Sequence, residues 1–308
     1  MATTIRDVAE AAGVSPMAVS KVLHGKGATV RVSLEKAAHI RRVAEELRYQ
    51  PNHLARSFRS KRTHTIGLVF EHFQKIGDRT GYFGQLLNGV MSATFPGDFS
   101  LTICPKLIRN SSTGAIFDGR FDGIVWCKPD LSDETRLAIQ NAPVPIVALH
   151  VTPNEIPGVP TFCCDNQEAL RLAVAHLKEL GHQKIAFAID KDNRDSVEAL
   201  ARIDAFFSAM SKAALPCSPS DLLVWHHDGQ DLSDYWARGG CHTAMICFSE
   251  SHAVSLLKEA DQLGIQVPSE LSVIGFDSTS FCETTTPRLT AISQPVEQMA
   301  FEATQFLL

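Results

Sequence analysis

Residues 4–23, Thr-Ile-Arg-Asp-Val-Ala-Glu-Ala-Ala-Gly-Val-Ser-Pro-Met-Ala-Val-Ser-Lys-Val-Leu, constrain this chain more than any other stretch. They read as two short helices joined by a tight turn. Thr4 can cap the first helix, and Asp7 three residues later completes a capping-box pattern. Ile5, Val8, Ala9 and Ala12 recur at helical spacing and give that helix one apolar face. Gly13 follows where a left-handed residue is needed to end it, a conformation glycine adopts without a Cβ penalty. Ser15 is a good cap for the next helix, and Pro16 suits its first turn because the missing N–H would have no partner there. Val19, Val22 and Leu23 face inward, which puts Met17, Ala18, Ser20 and Lys21 outward near the helix start. A helix-turn-helix presents its second helix to the major groove of DNA in this way. The alternative is an ordinary αα-hairpin at a domain edge.

Charge argues against that alternative. Residues 1–63 hold twelve Lys/Arg and five Asp/Glu, leaving 17 basic and 29 acidic residues for the other 245. The overall net charge of −5 therefore conceals a module at +7 joined to a body at −12. A small basic module on an acidic body places phosphate contact at one end and predicts binding that weakens with salt.

Two more parts complete the basic module. Ser33 caps a longer helix over about 34–47, with Ala37, Ile40, Val43, Ala44 and Leu47 on one face, packing behind the reading pair. The linker 24–32 is basic and contains glycine, so phosphate contacts from His24 and Arg31 are expected. In Tyr49-Gln50-Pro51-Asn52-His53-Leu54-Ala55-Arg56-Ser57-Phe58-Arg59, Pro51 stops the preceding element and can start a new helix. That helix would be barely two turns long and too short to stand alone in water. Leu54 and Phe58 at i and i+4, beside Arg56 and Arg59, suggest a hinge that folds on DNA rather than an inert linker.

The stretch 4–62 resembles the DNA-binding headpiece and hinge of the LacI-type (lac repressor) family of bacterial transcription regulators. The matching motifs are Asp7-Val8-Ala9, Ala12-Gly13-Val14-Ser15, Val19-Ser20-Lys21-Val22-Leu23 and Tyr49-Gln50-Pro51-Asn52 with Leu54-Ala55-Arg56. The resemblance implies that Pro16, Met17 and Lys21 face base edges and that paired hinge helices enter the minor groove. It brings Thr4, Ser15, Ala18, Ser20, His24, Arg31, Asn52, Leu54, Ala55, Arg56, Phe58 and Arg59 into the DNA-contacting set. Ala18 and Lys21 stand where Thr and Arg are common. Phe58 replaces a leucine that wedges between central base pairs, and an apolar side chain can still unstack a step there.

The body reads as alternating strands and helices. Thr65–Phe70 is a short apolar run of the kind buried in parallel sheets. Further strands are expected at 100–104, 123–127, 145–149, 184–189, 222–225, 244–247 and 272–276, with helices at 82–94, 132–141, 166–180, 197–213 and 251–263. This alternation predicts α/β layers whose ligands bind outside the carboxyl ends of the strands. No glycine-rich phosphate fingerprint or Walker sequence follows any of these strands, and no Ser-centred elbow appears, so a nucleotide-cofactor enzyme or hydrolase is not indicated. No apolar run reaches the length of a membrane span and no signal peptide is evident. The eight cysteines are scattered, as expected of reduced, buried small residues. Neither cofactor nor metal is expected: His226, His227 and Asp228 are candidate ligands, but adjacent residues rarely converge on one ion.

The resemblance extends through the body as a two-lobed periplasmic-binding-protein-like core. It is carried by Phe121-Asp122-Gly123-Ile124, Asp165-Asn166 with His176-Leu177 and Leu180-Gly181-His182, Val267-Pro268, Ser272–Asp277 and Leu289-Thr290-Ala291-Ile292. The expected organisation is an all-α headpiece at 1–49, a hinge at 50–63 and an effector-binding and dimerisation core at 64–308. Its N-lobe would be about 64–160 plus 287–308, and its C-lobe about 161–286. The sequence ends at Phe306-Leu307-Leu308, inside a helix, where the resembled family usually continues for a few strands; dimerisation or lobe stability would be expected to suffer only in a protein truly without that segment.

Asp277 ends a strand at the expected cleft, where a carboxylate can accept hydrogen bonds from sugar hydroxyls or cap the next helix. By resemblance Arg202 is a ligand-clamping arginine, Ser249 and Glu250 stand where Asn-Asp is common, and Tyr82 and Phe83 line the N-lobe wall or belong to its core. His150 replaces a frequent acidic residue, and Trp225, His226 and His227 would supply the opposite wall. The implied protein is a cytoplasmic, nucleoid-associated bacterial regulator, most simply a repressor. It would bind a pseudo-palindromic operator as a homodimer, under control of a small polar effector such as a sugar or sugar derivative. Two other readings are a constitutive DNA-binding protein without effector, and a sugar-binding protein with a vestigial headpiece.

Overall fold

The computed structural model describes residues 3–24, 31–50, 57, 62–70, 80–104, 119–127, 131–226 and 231–308. The chain divides into two compact units, Met1–Thr63 and His64–Leu308.

The first unit is built from α1 (Ile5–Ala11), α2 (Pro16–His24) and α3 (Leu34–Glu46). Thr4 and Asp7 form the reciprocal capping box, with the Thr4 N–H donating to Asp7 Oδ2 at 2.7 Å. Ser15 and Ser33 cap the next two helices by accepting the amides of Ala18 and Lys36. Gly13 lies at φ +64 in the turn. Val8, Ala9, Ala12, Val19, Ile40, Val43 and Ala44 form one small core, with Val22 and Leu23 packed against it.

Two five-stranded parallel sheets make the second unit. The first joins β1 (Thr65–Phe70), β2 (Ser100–Cys104), β3 (Gly123–Cys127), β4 (Ile146–Leu149) and β5 (Thr161–Phe162) in the order β2-β1-β3-β4-β5. The second joins β6 (Ile185–Asp190), β7 (Leu222–Trp225), β8 (Ala244–Cys247), β9 (Ser272–Asp277) and β10 (Thr290–Ser293) in the order β10-β9-β8-β6-β7. Read in chain order, both sheets share one topology, with the order reversing between their first and third strands.

Strand residues alternate between two helix layers because successive Cβ atoms leave a sheet on opposite faces. Ile66, Leu68 and Phe70 join Val125, Val147 and Leu149 beneath α4 (Thr80–Thr94) and α11 (Val296–Leu307). Val69, Ile124, Trp126 and Ile146 turn the other way, against α5 (Asp133–Gln140). In the second lobe Ile185, Phe187 and Ile189 meet α6 (Asn166–Glu179) and α7 (Val197–Lys212). Ala186, Ala188 and Met245 meet α8 (Asp231–Ala237), α9 (Glu250–Leu263) and the short α10 (Phe281–Thr284). Helices α4 and α11 come close together at Gly89, where any Cβ would run into the Glu297 carbonyl and lie 2.8 Å from the Ala300 Cβ.

The expected strands and longer helices are present within two residues of their read limits. Two boundaries are corrected. β5 belongs to the first sheet and β10 to the second, so both crossings between lobes fall later than 160/161 and 286/287. The short β5, β10, α8 and α10 were not anticipated. Among the described residues no helix is long and apolar enough to cross a membrane.

Candidate DNA-reading helix and interlobe cleft

On the headpiece, Met17 is 58% exposed at the first turn of α2, with Ser20 and Lys21 half-buried one turn on. Pro16 and Arg31 are exposed. Thr4 and Ser15 spend their hydroxyls on caps, which leaves them at the surface beside the helix starts. Ala18, read as outward, is instead buried, because it lies one turn from Val22 on the flank of the apolar face. His24 ends α2 with its side chain outside the described residues, as are Asn52, Leu54, Ala55, Arg56, Phe58 and Arg59.

The core site follows from the two sheets. In open parallel sheets the carboxyl ends beside the order reversal are where ligands seat, because flanking loops part there. In the first lobe these ends carry Cys127 as the last residue of β3 and His150 just after β4, with Tyr82 in the first turn of α4. The Tyr82 hydroxyl is hydrogen-bonded to His150 Nε2 and lies 4.0 Å from Cys127 Sγ. Burial pushes the Tyr82 phenol far up and the Cys127 thiol up to about 12, so both keep their protons. Burial also lowers the pKa of His150, while the Glu198 charge raises it and that of Arg202 lowers it.

In the second lobe Arg202 is 3% exposed on α7. Its Nη2 donates to Glu198 Oε1 at 2.8 Å, its Nη1 to the Phe248 carbonyl at 2.6 Å, and its Nε to Asn166 Oδ1 at 3.2 Å. Its guanidinium also lies over the Phe248 and Phe276 rings, 4.8 and 4.3 Å from their centroids. Asp277 ends β9 in a left-handed conformation, φ +85, and accepts Gln294 Nε2 at 2.5 Å. Burial raises its carboxyl pKa, opposed first by the Arg202 charge. His150, at φ +59, is likewise left-handed at its strand end. Such backbone strain in non-glycine residues clusters at ligand sites.

The two lobes meet across these groups. The Glu198 charge reaches Tyr82, Cys127, His150, Cys163 and Cys164, all on the first lobe or the strand leaving it. The Asp277 charge reaches Tyr82 and Cys164. At the rim, Gly81 abuts the Thr279 side chain so closely that a Cβ there would overlap it.

Several expected wall residues do not reach the cleft. Phe83 is buried in the first-lobe core against Phe70, with ring centroids 5.0 Å apart. Trp225 is buried in the second-lobe core, edge-on to His252 at 5.5 Å. Ser249 caps α9. The Glu250 carboxylate accepts the Thr279 amide at 2.7 Å, the Thr279 hydroxyl at 2.5 Å and Cys282 Sγ at 3.0 Å, so it ties down the segment after β9. His226 is exposed, and His227 lies outside the described residues. Among the described residues no three metal-ligating side chains gather.

Four cleft groups escaped the sequence reading: Cys127, Glu198, Gln294 and Asn166. Glu198 had a visible signal, because it stands four residues before Arg202 on one helix face. A separate groove of about 260 Å³ opens on the far edge of the first lobe, lined in part by Ile139, Gln140, Val147, Phe306 and Leu307. It carries no titratable group, so the chemistry lies in the cleft instead.

Comparison with known proteins agrees with this architecture. Residues 4–52 match the family described as bacterial regulatory proteins, lacI family, and residues 174–308 match a periplasmic binding protein-like domain. The HTH-type transcriptional repressor PurR of Vibrio atlanticus is 26% identical over 99% of this chain and 91% of its own length. The HTH-type transcriptional regulator DegA of Bacillus subtilis is 28% identical over 98% and 89%. The sucrose operon repressor of Streptococcus mutans is 27% identical over 100% and 92%. Among solved structures, the lac repressor dimer bound to operator and the anti-inducer ONPF superposes with a TM-score of 0.83, at 23% identity over 100% of this chain and 92% of that one. The transcriptional regulator CelR–cellobiose complex superposes with a TM-score of 0.69, at 24% identity over 99% and 92%. These relatives are transcriptional regulators, not enzymes.

Proposed function

The chain belongs to the LacI family of bacterial regulatory proteins and is a DNA-binding transcriptional repressor of that family, and from this premise we propose that a small polar effector in the interlobe cleft sets its operator affinity. The observation that carries the proposal is the convergence of Tyr82 and His150 from one lobe with Glu198, Arg202 and Asp277 from the other. A ligand held by both lobes has different contacts when they rotate or part, and only such a difference can move a conformational equilibrium. The proposed unit is a homodimer acting in the bacterial cytoplasm. It places two copies of α2 on a pseudo-palindromic site and pairs its hinges at the centre. Met17, Ser20 and Lys21 are the base-facing side chains of that unit.

The test is selection of purified protein on a random DNA duplex library at moderate salt. Enrichment of a two-fold symmetric site is expected, followed by a shift in affinity for that site when the right small molecule is added. Loss of binding marks an inducer and gain marks a corepressor. Salt-sensitive binding with no enriched sequence, with or without cell extract, would overturn the proposal.

A further inference from the structure

Resting on the cleft as the effector site, we infer that the effector is a polyhydroxy compound bearing a protonated amino group, such as an amino sugar, and not a phosphate or a carboxylate. The argument is a donor–acceptor count. Glu198 is 8% exposed; its Oε1 takes the Arg202 hydrogen bond, while its Oε2 is buried and, among the described residues, accepts none. Gln294 is 4% exposed; its Nε2 donates to Asp277, and its Oε1 is likewise buried without a donor. Buried acceptors of this kind are costly unless something supplies hydrogen atoms.

Three of the five N–H donors of Arg202 are already committed within the protein. Each of the three Arg202 nitrogens donates to Asn166, Phe248 or Glu198, and two aromatic rings flank the guanidinium. The charge of that cation is therefore already balanced by Glu198 before any ligand enters. The Glu250 carboxylate, which also adds negative charge beside Asp277, is held by Thr279 and Cys282. Two carboxylates, Glu198 and Asp277, thus share the field of one guanidinium, with the Glu250 charge next to Asp277. His150 adds no charge near neutral pH, since burial lowers its pKa from 6.5.

An acidic ligand would bring further acceptors and repulsion to this site. An ammonium group offers up to three donors and a compensating charge to Glu198 Oε2. Neighbouring hydroxyls can then donate to Gln294 Oε1 and Asp277.

The experiment measures thermal shift and calorimetric affinity of the full chain with matched sugars. The set is glucose and galactose, their 2-amino and N-acetylamino derivatives, their uronic acids and their 6-phosphates, with ribose, ribosylamine analogues and an aminated disaccharide added. The amines should raise Tm and bind at least about tenfold more tightly than their neutral parents, as a charge-assisted hydrogen bond allows. N-acetylation, which keeps bulk and removes the charge, should erase that advantage. Glu198→Gln should erase it too, so that amine and neutral parent then bind alike. The charge-class comparison on the wild type stands alone should that variant fold poorly. Tightest binding by an acid or phosphate, or equal binding of amine, parent and N-acetyl forms, overturns the amine assignment and leaves the cleft as effector site. Silence from every class overturns the cleft reading and this inference with it.

Discussion

His150 illustrates how much one side chain can be made to report. The Tyr82 phenol keeps its proton, because burial pushes its pKa far up, so the hydroxyl donates and His150 Nε2 accepts. The ring is then neutral with its proton on Nδ1, in keeping with a folded pKa below the free value of 6.5. As pH falls, the unfolded chain takes up this proton first, so the stabilisation is complete above about 6.5 and is lost below it as the folded value is approached. His150→Asn tolerates the left-handed backbone and removes the titration. Wild type should therefore lose more Tm than the variant between pH 7 and pH 5.5; parallel Tm profiles would exclude this tautomer. On the headpiece, Lys21→Ala should weaken operator binding and relax specificity at one base position. An equal loss on random duplex, read by competition binding, would assign Lys21 to a phosphate instead. Caps were legible at this scale because they are local: Thr4, Gly13 and Ser15 each answer a neighbour within three residues. Ala18 was misplaced because a small residue on the border of an apolar stripe carries little pattern, although its i+4 partner Val22 marked the side. Glu198 and Gln294 were hidden for another reason. Their importance is set by unsatisfied oxygens, a property of three-dimensional packing that no spacing encodes.

At the level of elements, the body was readable wherever a strand is buried on both faces. Such strands are uninterrupted apolar runs, and β1, β3, β4, β6 and β8 are of this kind. The elements that escaped are short or at an edge: β5 has two residues, β10 is half-exposed, and α8 opens in an acidic, polar stretch. Those two strands decide which residues belong to which lobe, which is why the lobe boundaries moved while the elements did not. The close packing of α4 on α11 yields a sharper test. Gly89→Ala gains about 1 kcal/mol of helix propensity. Against this, its methyl group must displace a backbone carbonyl at Glu297, and overpacking costs about 1–3 kcal/mol. The backbone cannot swing aside like a side-chain end, so a net loss is expected, seen as a lower urea midpoint for the full chain. A raised midpoint would mean that α11 yields, and that this contact does not fix the first lobe.

For the whole molecule, the decisive quantity is the division of charge, +7 on residues 1–63 against −12 on the remainder. A uniformly basic protein would let any face meet DNA, whereas a net acidic body is repelled by phosphates and biases the encounter toward the headpiece. This division needs no groove or register to act, so it steers the encounter before α2 reads a base. It also separates the two jobs of the chain: phosphate attraction sits in one unit, and a cleft rich in carboxylates sits in the other, where a cationic effector would meet no competition from DNA-binding residues. Displacing counterions from several phosphates makes log affinity fall linearly with log salt, by about 0.9 per phosphate contacted. Two headpieces on one symmetric site should contact at least about six phosphates, so raising salt from about 50 to about 200 mM should cost roughly a thousandfold in operator affinity. Effector affinity, measured on the same protein by calorimetry, should change far less over that range, because a buried ion contact is screened weakly. A flat salt response for operator would mean that the basic module does not engage the backbone. An equally steep one for the effector would place its charge in solvent, outside the cleft.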